Sequence, residues 1–482
     1  MGVWKERRPA GADSPDIVIS NEELCTVGSD HAVISWVTSA PCSAVTVYIG
    51  ENPARMTGFG TVSNSRYHQV ELTGLKPDTV YWYQVTSGRA KGSLNSFRTL
   101  PAGGGKQLFK FAVISDAHVP AGSIFNDVNK IYLGKLTEYA DVLLVRSIRD
   151  VKKRGVDLVV FTGDLTDTAT RRQYRELRYR LLPHLGGTPF CLCPGNHDKF
   201  TRYGGVGEEG FYEYLSGRRP AWREFFFREH QFLLLDSCRP DDNWGFMGED
   251  QLQWLEQRLH AGGGRPAFIF LHHPSHGFDL WFGLKNHRDL LNIIKKFPAV
   301  RGVFCGHMHR SKVTRYRAAT GDVPFVEVPA TVQYPCACAV VKVCENGFEY
   351  NAYKLTRPDL SEKSRERFIL KNGGRAVFTR YSFGGLGDRS FAFYGGVLYR
   401  PRLYELSVTF EHEKAVALYE RLRLDEGASL APAEAGRTRV VLGRFATVQA
   451  AFRARRRKFS LYQVKARIVE EGDVREQIDI SD

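Results

Sequence analysis

The chain has 482 residues, 67 Lys and Arg against 53 Asp and Glu for a formal charge of +14, and 43% hydrophobic residues. That length exceeds what one core organises, so two to four domains are expected, and the ordinary apolar and charged fractions exclude a disordered or fibrous chain. No run of about 18 apolar residues occurs, which argues against a transmembrane helix. The excess of positive charge suits anionic partners such as phosphate esters, although a generally basic surface accounts for it equally well.

Residues 1–15 read as a tail with basic residues and no apolar stretch behind them, so no secretory signal is visible and a cytoplasmic location is expected. Nine cysteines lie mostly in or beside apolar strand runs, where a reduced cysteine acts as a small hydrophobe. The pair Cys336 and Cys338 has the C-x-C spacing of a redox or metal pair, a weak signal that is set aside here.

From 16 to 100 the pattern alternates in the manner of short strands (HAVISWVT, SAVTVYIG, RYHQVELTGL, TVYWYQVTSG), broken by Gly, Pro, Asn and Asp. This predicts an all-β sandwich. The spacing Leu75-x-Pro77-x-Thr79-x-Tyr81 resembles the tyrosine corner of fibronectin type III domains, with Trp36 as the core aromatic. The segment also resembles the N-terminal sandwich of purple acid phosphatases. PAGGGKQ, ending at Gln107, then reads as a flexible linker.

Five blocks follow: SDAH from Ser115, GDLTD from Gly163, GNHD from Gly195, LHHP from Leu271 and GHMH from Gly306. Each sits behind an apolar run (FAVI, DLVVFT, FCLC, AFIF, VRGVFC) of the length and composition of a buried strand. Ligands in open α/β sheets collect at the carboxyl ends of strands. The blocks therefore place Asp116, His118, Asp164, Asn196, His272, His307 and His309 on one rim. Imidazole, carboxylate and amide oxygen suit Mn, Fe, Zn or Co, in divalent or mixed-valence states, and no thiolate intervenes. Seven ligands are too many for one tetrahedral ion. Shared by two ions with Asp164 as the bridging carboxylate, they divide into Asp116, His118 and His309 for the first, and Asn196, His272 and His307 for the second.

D-x-H, GD-x-x-D, GNHD, an HHP block and G-H-x-H in this order resemble the calcineurin-like metallophosphoesterase superfamily over roughly residues 108–355. Within it the likeness is greatest to class III cyclic-nucleotide phosphodiesterases and related bacterial phosphodiesterases. The resemblance implies a four-layer α/β/β/α sandwich over 108–356, with helices outside two packed sheets, and the same ligand set. Helix-patterned stretches beginning at Leu136, Thr168, Gly248 and Leu284 agree with it. Purple acid phosphatases differ at the site: their first block is D-x-G and their second carries an iron-binding Tyr, where this chain has His118 and Asp167. The site outweighs the front domain as a guide to function.

Beside the ligands, His197 is placed to protonate a leaving oxygen or to stabilise charge building on phosphorus. Asp167 is read either as the group that orients the His197 ring or as the cap of the following helix. His273 is a packing group more than a ligand, and His276 lines the pocket mouth or does nothing chemical. The expected nucleophile is a hydroxide bridging the two ions. Arg202, Tyr203, Trp281 and Phe282 stand in loops leaving the rim and are candidates for substrate contact.

From 357 to 375 the text is charged and reads as a linker; 376–482 reads as a small α+β region of no recognised family. Its basic run from Arg453 to Lys458 raises a nucleic-acid reading, but a solvated face is preferred. The function expected is hydrolysis of a phosphate ester, a diester by analogy. A phosphomonoesterase or protein phosphatase is the alternative, and a non-catalytic scaffold the remote one. Homo-oligomerisation is left open.

Overall fold

The computed structural model describes residues 17–120, 134–275, 282–318, 321–371, 377–401, 404–410, 429–432, 438–445 and 467–470. His276, Trp281 and the basic run Arg453 to Lys458 lie outside the described residues.

The front region is built from strands β1 (Ile19–Val27), β2 (His31–Asn52), β3 (Arg55–Thr73), β4 (Val80–Ser87), β5 (Ala90–Lys91) and β6 (Asn95–Arg98), every pairing antiparallel. The long β2–β3 hairpin serves both faces of the sandwich. Ala32–Thr38 lies against β1, whereas Val45–Gly50 lies against β4. The register breaks between Val37 and Ala44, where an irregularity lets one strand bend across. Alternate residues point inward, Ala32, Ile34 and Trp36 from one half and Val45, Val47 and Ile49 from the other. The Trp36 indole donates to Ser87 Oγ at 2.9 Å, and the Lys76 amide donates to the Tyr81 hydroxyl at 2.9 Å, which closes the anticipated tyrosine corner.

Two further sheets pack face to face. One has the strand order β19-β18-β17-β16-β7-β8-β9 and the other β10-β11-β12-β13-β15-β14. In the first, β7 (Gln107–Ile114), β8 (Leu158–Phe161) and β9 (Phe190–Leu192) run parallel; β16 (Ala337–Cys344) pairs antiparallel with β7, and β17 (Gly347–Lys354) antiparallel with β16. In the second, β10 (Arg223–Phe227) leads into the parallel set β11 (His230–Leu234), β12 (Ala267–Phe270), β13 (Val300–Cys305) and β15 (Gly321–Glu327), edged by β14 (Lys312–Ala318).

Between the sheets the ring side chains of Phe109, Phe111, Phe232, Phe268, Phe270, Phe304 and Phe348 meet, all fully buried. Each such burial is worth about 1.5–3 kcal/mol, so this layer alone outweighs any surface ion pair. The opposite face of β7 and β8 (Ala112, Ile114, Val159, Phe161) packs on the helix Ala140–Lys153, and that of β12 and β13 on the helices Glu249–Ala261 and His287–Ile294. Strands buried on both faces read as continuous apolar runs, which is why they were legible in the sequence. The four-layer α/β/β/α architecture is present.

The stretch read as a linker is different in the structure. It holds the helix Pro358–Lys371, whose Leu360, Ser361, Ser364 and Phe368 are buried. Its charges had suggested a solvated tether, but several are paired along one side, as Arg365 is with Glu362. Beyond it, β18 (Ser390–Tyr394) and β19 (Val397–Tyr399) extend the seven-stranded sheet past β17. The remaining described strands, β20 (Tyr404–Phe410), β21 (Ser429–Pro432), β22 (Thr438–Phe445) and β23 (Arg467–Glu470), pair in a separate antiparallel sheet of order β21-β22-β20-β23. Among the described residues, no helix is long and apolar enough to cross a membrane.

Candidate metal centre

The five blocks leave the carboxyl ends of β7, β8 and β9 in one sheet and of β12 and β13 in the other. Main-chain bonds knit these exits together: Asp116 N to Gly163 O at 3.1 Å, His118 N to Asp164 O at 2.9 Å and Gly306 N to His272 O at 3.0 Å. The His307 amide also donates to the Asp116 carboxylate at 3.1 Å.

All seven predicted side chains converge there. Donor atoms of Asp116, His118 and His309 lie within 4.8 Å of one another, as do those of Asp164, His272 and His307. In the first group His118 Nε2 and His309 Nε2 are 3.1 Å apart, and Asp116 Oδ1 is 3.3 Å from His309 Nε2. In the second, Asn196 Oδ1 is 3.0 Å from His272 Nε2 and 3.2 Å from His307 Nδ1. Asp164 stands between the groups, its Oδ2 3.6 Å from His118 and 3.3 Å from His272.

The second contacts of these rings fix where their protons are. His272 Nδ1 lies 2.8 Å from the Thr162 carbonyl, which can only accept, so Nε2 presents a lone pair to the centre. His309 does the same: Nδ1 donates to Gln333 Oε1 at 2.9 Å, while the Gln333 amide nitrogen donates to Ser382 Oγ at 3.4 Å. Asn196 gives its Nδ2 to Asn243 Oδ1 at 3.2 Å and thereby turns its own oxygen inward. Buried lone pairs from O and N thus face one another at about hydrogen-bond distance. Burying such acceptors together is costly unless a cation sits among them, and carboxylate, imidazole and amide oxygen are the donors divalent ions take. The residues fit the group.

The carboxylates draw positive charge to the centre, so on His272 a proton competes with a cation for Nε2. Burial opposes a positive charge on His272, yet the carboxylates of Asp164 and Asp116 overcome it and raise the pKa to about 9. Burial by itself would lift the Asp164 carboxyl, but the facing His272, His197 and His118 rings hold it well below the usual range. His118, where burial dominates, is pushed down to about 3.

Strain is concentrated at the same residues. Asp116, His118, Asp164, His307 and His309 all have left-handed backbone, with φ of 53°, 46°, 51°, 71° and 51°. Each costs roughly 1–3 kcal/mol for a residue with a Cβ and persists only where the surroundings enforce it. Gly163, at φ +94°, shows why this block needs glycine: a Cβ there would sit 2.6 Å from Gly195 N and 2.7 Å from His272 Nδ1.

Around the donors, the Asp198 carboxylate accepts from the amides of Thr166 at 2.8 Å and Gly195 at 2.9 Å, tying GDLTD to GNHD. Burial, then the nearby Asp164 charge, raises its pKa to about 6. A ring nitrogen of His197 comes within 4.8 Å of donors on His118 and Asp164. His197 Nδ1 donates to the Asp167 main-chain carbonyl at 2.7 Å, so Asp167 orients that ring through its backbone. The Asp167 carboxylate stands 3.6 Å from His118 Nδ1 instead. The helix that follows is capped by Thr170, which removes the capping role considered for Asp167.

Both ring nitrogens of His273 are engaged elsewhere, with Ser237 Oγ at 2.9 Å and the Asn243 carbonyl at 3.2 Å, while its ring packs 4.5 Å from that of His307, as expected of a packing group. Thr162, Gln333, Asn243 and Ser237 were missed. Thr162 acts through its main chain, and the other three lie in loops with no motif, so nothing local marks them.

A rim of this kind on a four-layer sandwich defines a metal-dependent hydrolase of phosphoric esters. The profile described as calcineurin-like phosphoesterase matches residues 109–311, and the chain belongs to that family. It is 30% identical over 215 residues to a glycerophosphodiester phosphodiesterase of Enterobacter lignolyticus, covering 41% of this chain and 70% of the relative. It is 29% identical over 222 residues to a 3',5'-cyclic adenosine monophosphate phosphodiesterase of Escherichia coli K12, covering 45% and 75%. A solved dimetal phosphatase of Danio rerio is similar at 17% identity and a TM-score of 0.42, over 51% of this chain and 96% of the other.

Proposed function

We propose that this enzyme hydrolyses phosphodiesters at a centre for two metal ions. Asp116, His118 and His309 would hold one ion, Asn196, His272 and His307 the other, and Asp164 would serve both. The observation that carries this reading is Asp164 Oδ2, set between His118 and His272 with the two donor groups on either side. Bound ions supply Lewis acidity and a water acidified toward neutrality. The donor set suits Mn, Fe, Zn or Co. His197, with Nδ1 donating to the Asp167 carbonyl, gives a proton from its other nitrogen to the leaving oxygen only as the imidazolium, a form that burial disfavours and the nearby Asp164 charge supports. Left-handed turns at the ligands hold the donors before substrate arrives, so little reorganisation accompanies binding.

The diester preference rests on relatives named as glycerophosphodiester and cyclic-nucleotide phosphodiesterases. All nine cysteines are buried and unpaired, which supports a reducing, cytoplasmic setting. We also read the front sandwich as one domain over 16–100, and the catalytic unit as running from 108 through β19 instead of ending at 356.

The test is a Mn²⁺-loaded panel of bis-p-nitrophenyl phosphate, p-nitrophenyl phosphate and cyclic AMP. Diester turnover at or above the monoester rate is expected. A strong preference for p-nitrophenyl phosphate would replace the diester reading with a monoesterase.

A further inference from the structure

The front sandwich is fastened to the catalytic unit by an ion cluster whose two cations are buried and whose carboxylate is partly exposed. Glu23, on β1, accepts from Lys354 Nζ at 2.7 Å and from Arg389 at 2.7 Å, and the Tyr334 hydroxyl lies 3.3 Å from it. Lys354 and Arg389 are buried and lie over aromatic rings. Lys354 Nζ is 5.1 Å from the Tyr334 ring and 4.9 Å from the Phe383 ring, and the Arg389 guanidinium is 4.0 Å from Phe383. Tyr334 and Phe383 meet edge to face at 6.0 Å. A cation over a ring is held in place as well as charge-stabilised, so the Glu23 carboxylate fixes Phe383 through the two cations it shares, and Tyr334 through Lys354 and directly through the hydrogen bond from the tyrosine hydroxyl.

Those two aromatic residues flank the group that orients His309. Tyr334 follows Gln333, whose Oε1 accepts from His309 Nδ1; Phe383 follows Ser382, whose hydroxyl receives the other end of the Gln333 amide. Gln333 and Ser382 are fully buried. Both anchors of that amide are therefore main-chain neighbours of residues gripped from the sandwich. Among the described residues the other donor group has no comparable tie to the sandwich: His272 is oriented by Thr162 and Asn196 by Asn243.

From this juxtaposition we propose that Glu23, Tyr334 and Gln333 are positioning residues for the His309 side of the centre, and that the front sandwich is a working part of the phosphoesterase. This rests on the two-ion reading above. Outer partners of metal-bound histidines are worth about 10- to 100-fold in metal affinity, and the effect here falls on one ion of the two.

The experiment is calorimetric titration of the full chain with Mn²⁺. Wild type is expected to take up two equivalents. Gln333→Ala should weaken one of them about 10- to 100-fold and spare the other, and Gln333→Glu, which keeps the acceptor, should restore it. Tyr334→Phe, which removes one hydroxyl and leaves no buried cation unpaired, should weaken the same equivalent, as should Glu23→Gln. In the Gln333→Ala background Tyr334→Phe should add nothing, because the two act through one path.

Two results overturn the proposal: Tyr334→Phe and Glu23→Gln leaving both equivalents at wild-type affinity, or weakening both alike. A wild-type protein that binds no Mn²⁺ sinks the metal reading itself, and this inference with it. Wild type binding two while the variants change only thermal stability sinks this inference alone.

Discussion

Gly163→Ala tests whether the close approach of two blocks sets the geometry of the centre. Gly163 has φ +94°, where a residue with a Cβ pays about 1–2 kcal/mol. The added methyl would stand 2.6 Å from Gly195 N and 2.7 Å from His272 Nδ1, so main chain or ligand must move by roughly 1 Å. Overpacking of that kind costs a further 1–3 kcal/mol or so, which puts the total near 2–5 kcal/mol. Movement of Gly195 carries Asn196 with it, and misplacement on the order of 1 Å is worth about 10²-fold in rate. The control is Gly155→Ala, at φ +68° with nothing within 4 Å of the new methyl. It bears similar backbone strain without the clash. Metal content after dialysis and kcat/KM on bis-p-nitrophenyl phosphate should fall in Gly163→Ala and stay near wild type in Gly155→Ala. Equal losses in both variants, or full metal and activity in Gly163→Ala, would refute the reasoning.

Two other outcomes are expected. His197→Ala should lower turnover by about 10²–10⁴-fold with metal content unchanged, since its ring contacts the site without joining either ligand set; unchanged turnover rules out a role in proton transfer. Burial would raise the Glu23 pKa, but Lys354 and Arg389 hold it at about 2 against 4.5 for a free side chain. A group depressed on folding stabilises above its unfolded pKa, so Glu23 contributes fully above about pH 5 and loses the contribution between 4.5 and 2. The stability gap between wild type and Glu23→Gln, on the order of 3 kcal/mol at pH 7, should shrink as pH falls through that window in thermal unfolding; a gap independent of pH from 7 to 3 would contradict it.

Strand identity and the candidate donors that converge on the rim were legible in the sequence. Buried parallel strands must be apolar on both faces, and metal donors come from few residue types, so FAVI-SDAH or VRGVFC-GHMH carries its meaning locally. Tyr81 and Trp36 announced the sandwich for the same reason. Other features belong to the tertiary structure. The helix Pro358–Lys371 was hidden because charge density looks alike in a tether and on the outer face of a packed helix. The strand β18 was hidden because a short apolar run does not say which sheet edge it joins. The partners that settle proton positions, Thr162, Gln333 and Asn243, and the use of the Asp167 carbonyl in place of its carboxylate, have no signature at all. Main-chain carbonyls are the same at every residue, and only the folded arrangement decides which of them meets an imidazole. Residue type alone determined which chemistry the chain carries; the meeting of distant loops decided how each donor is aimed.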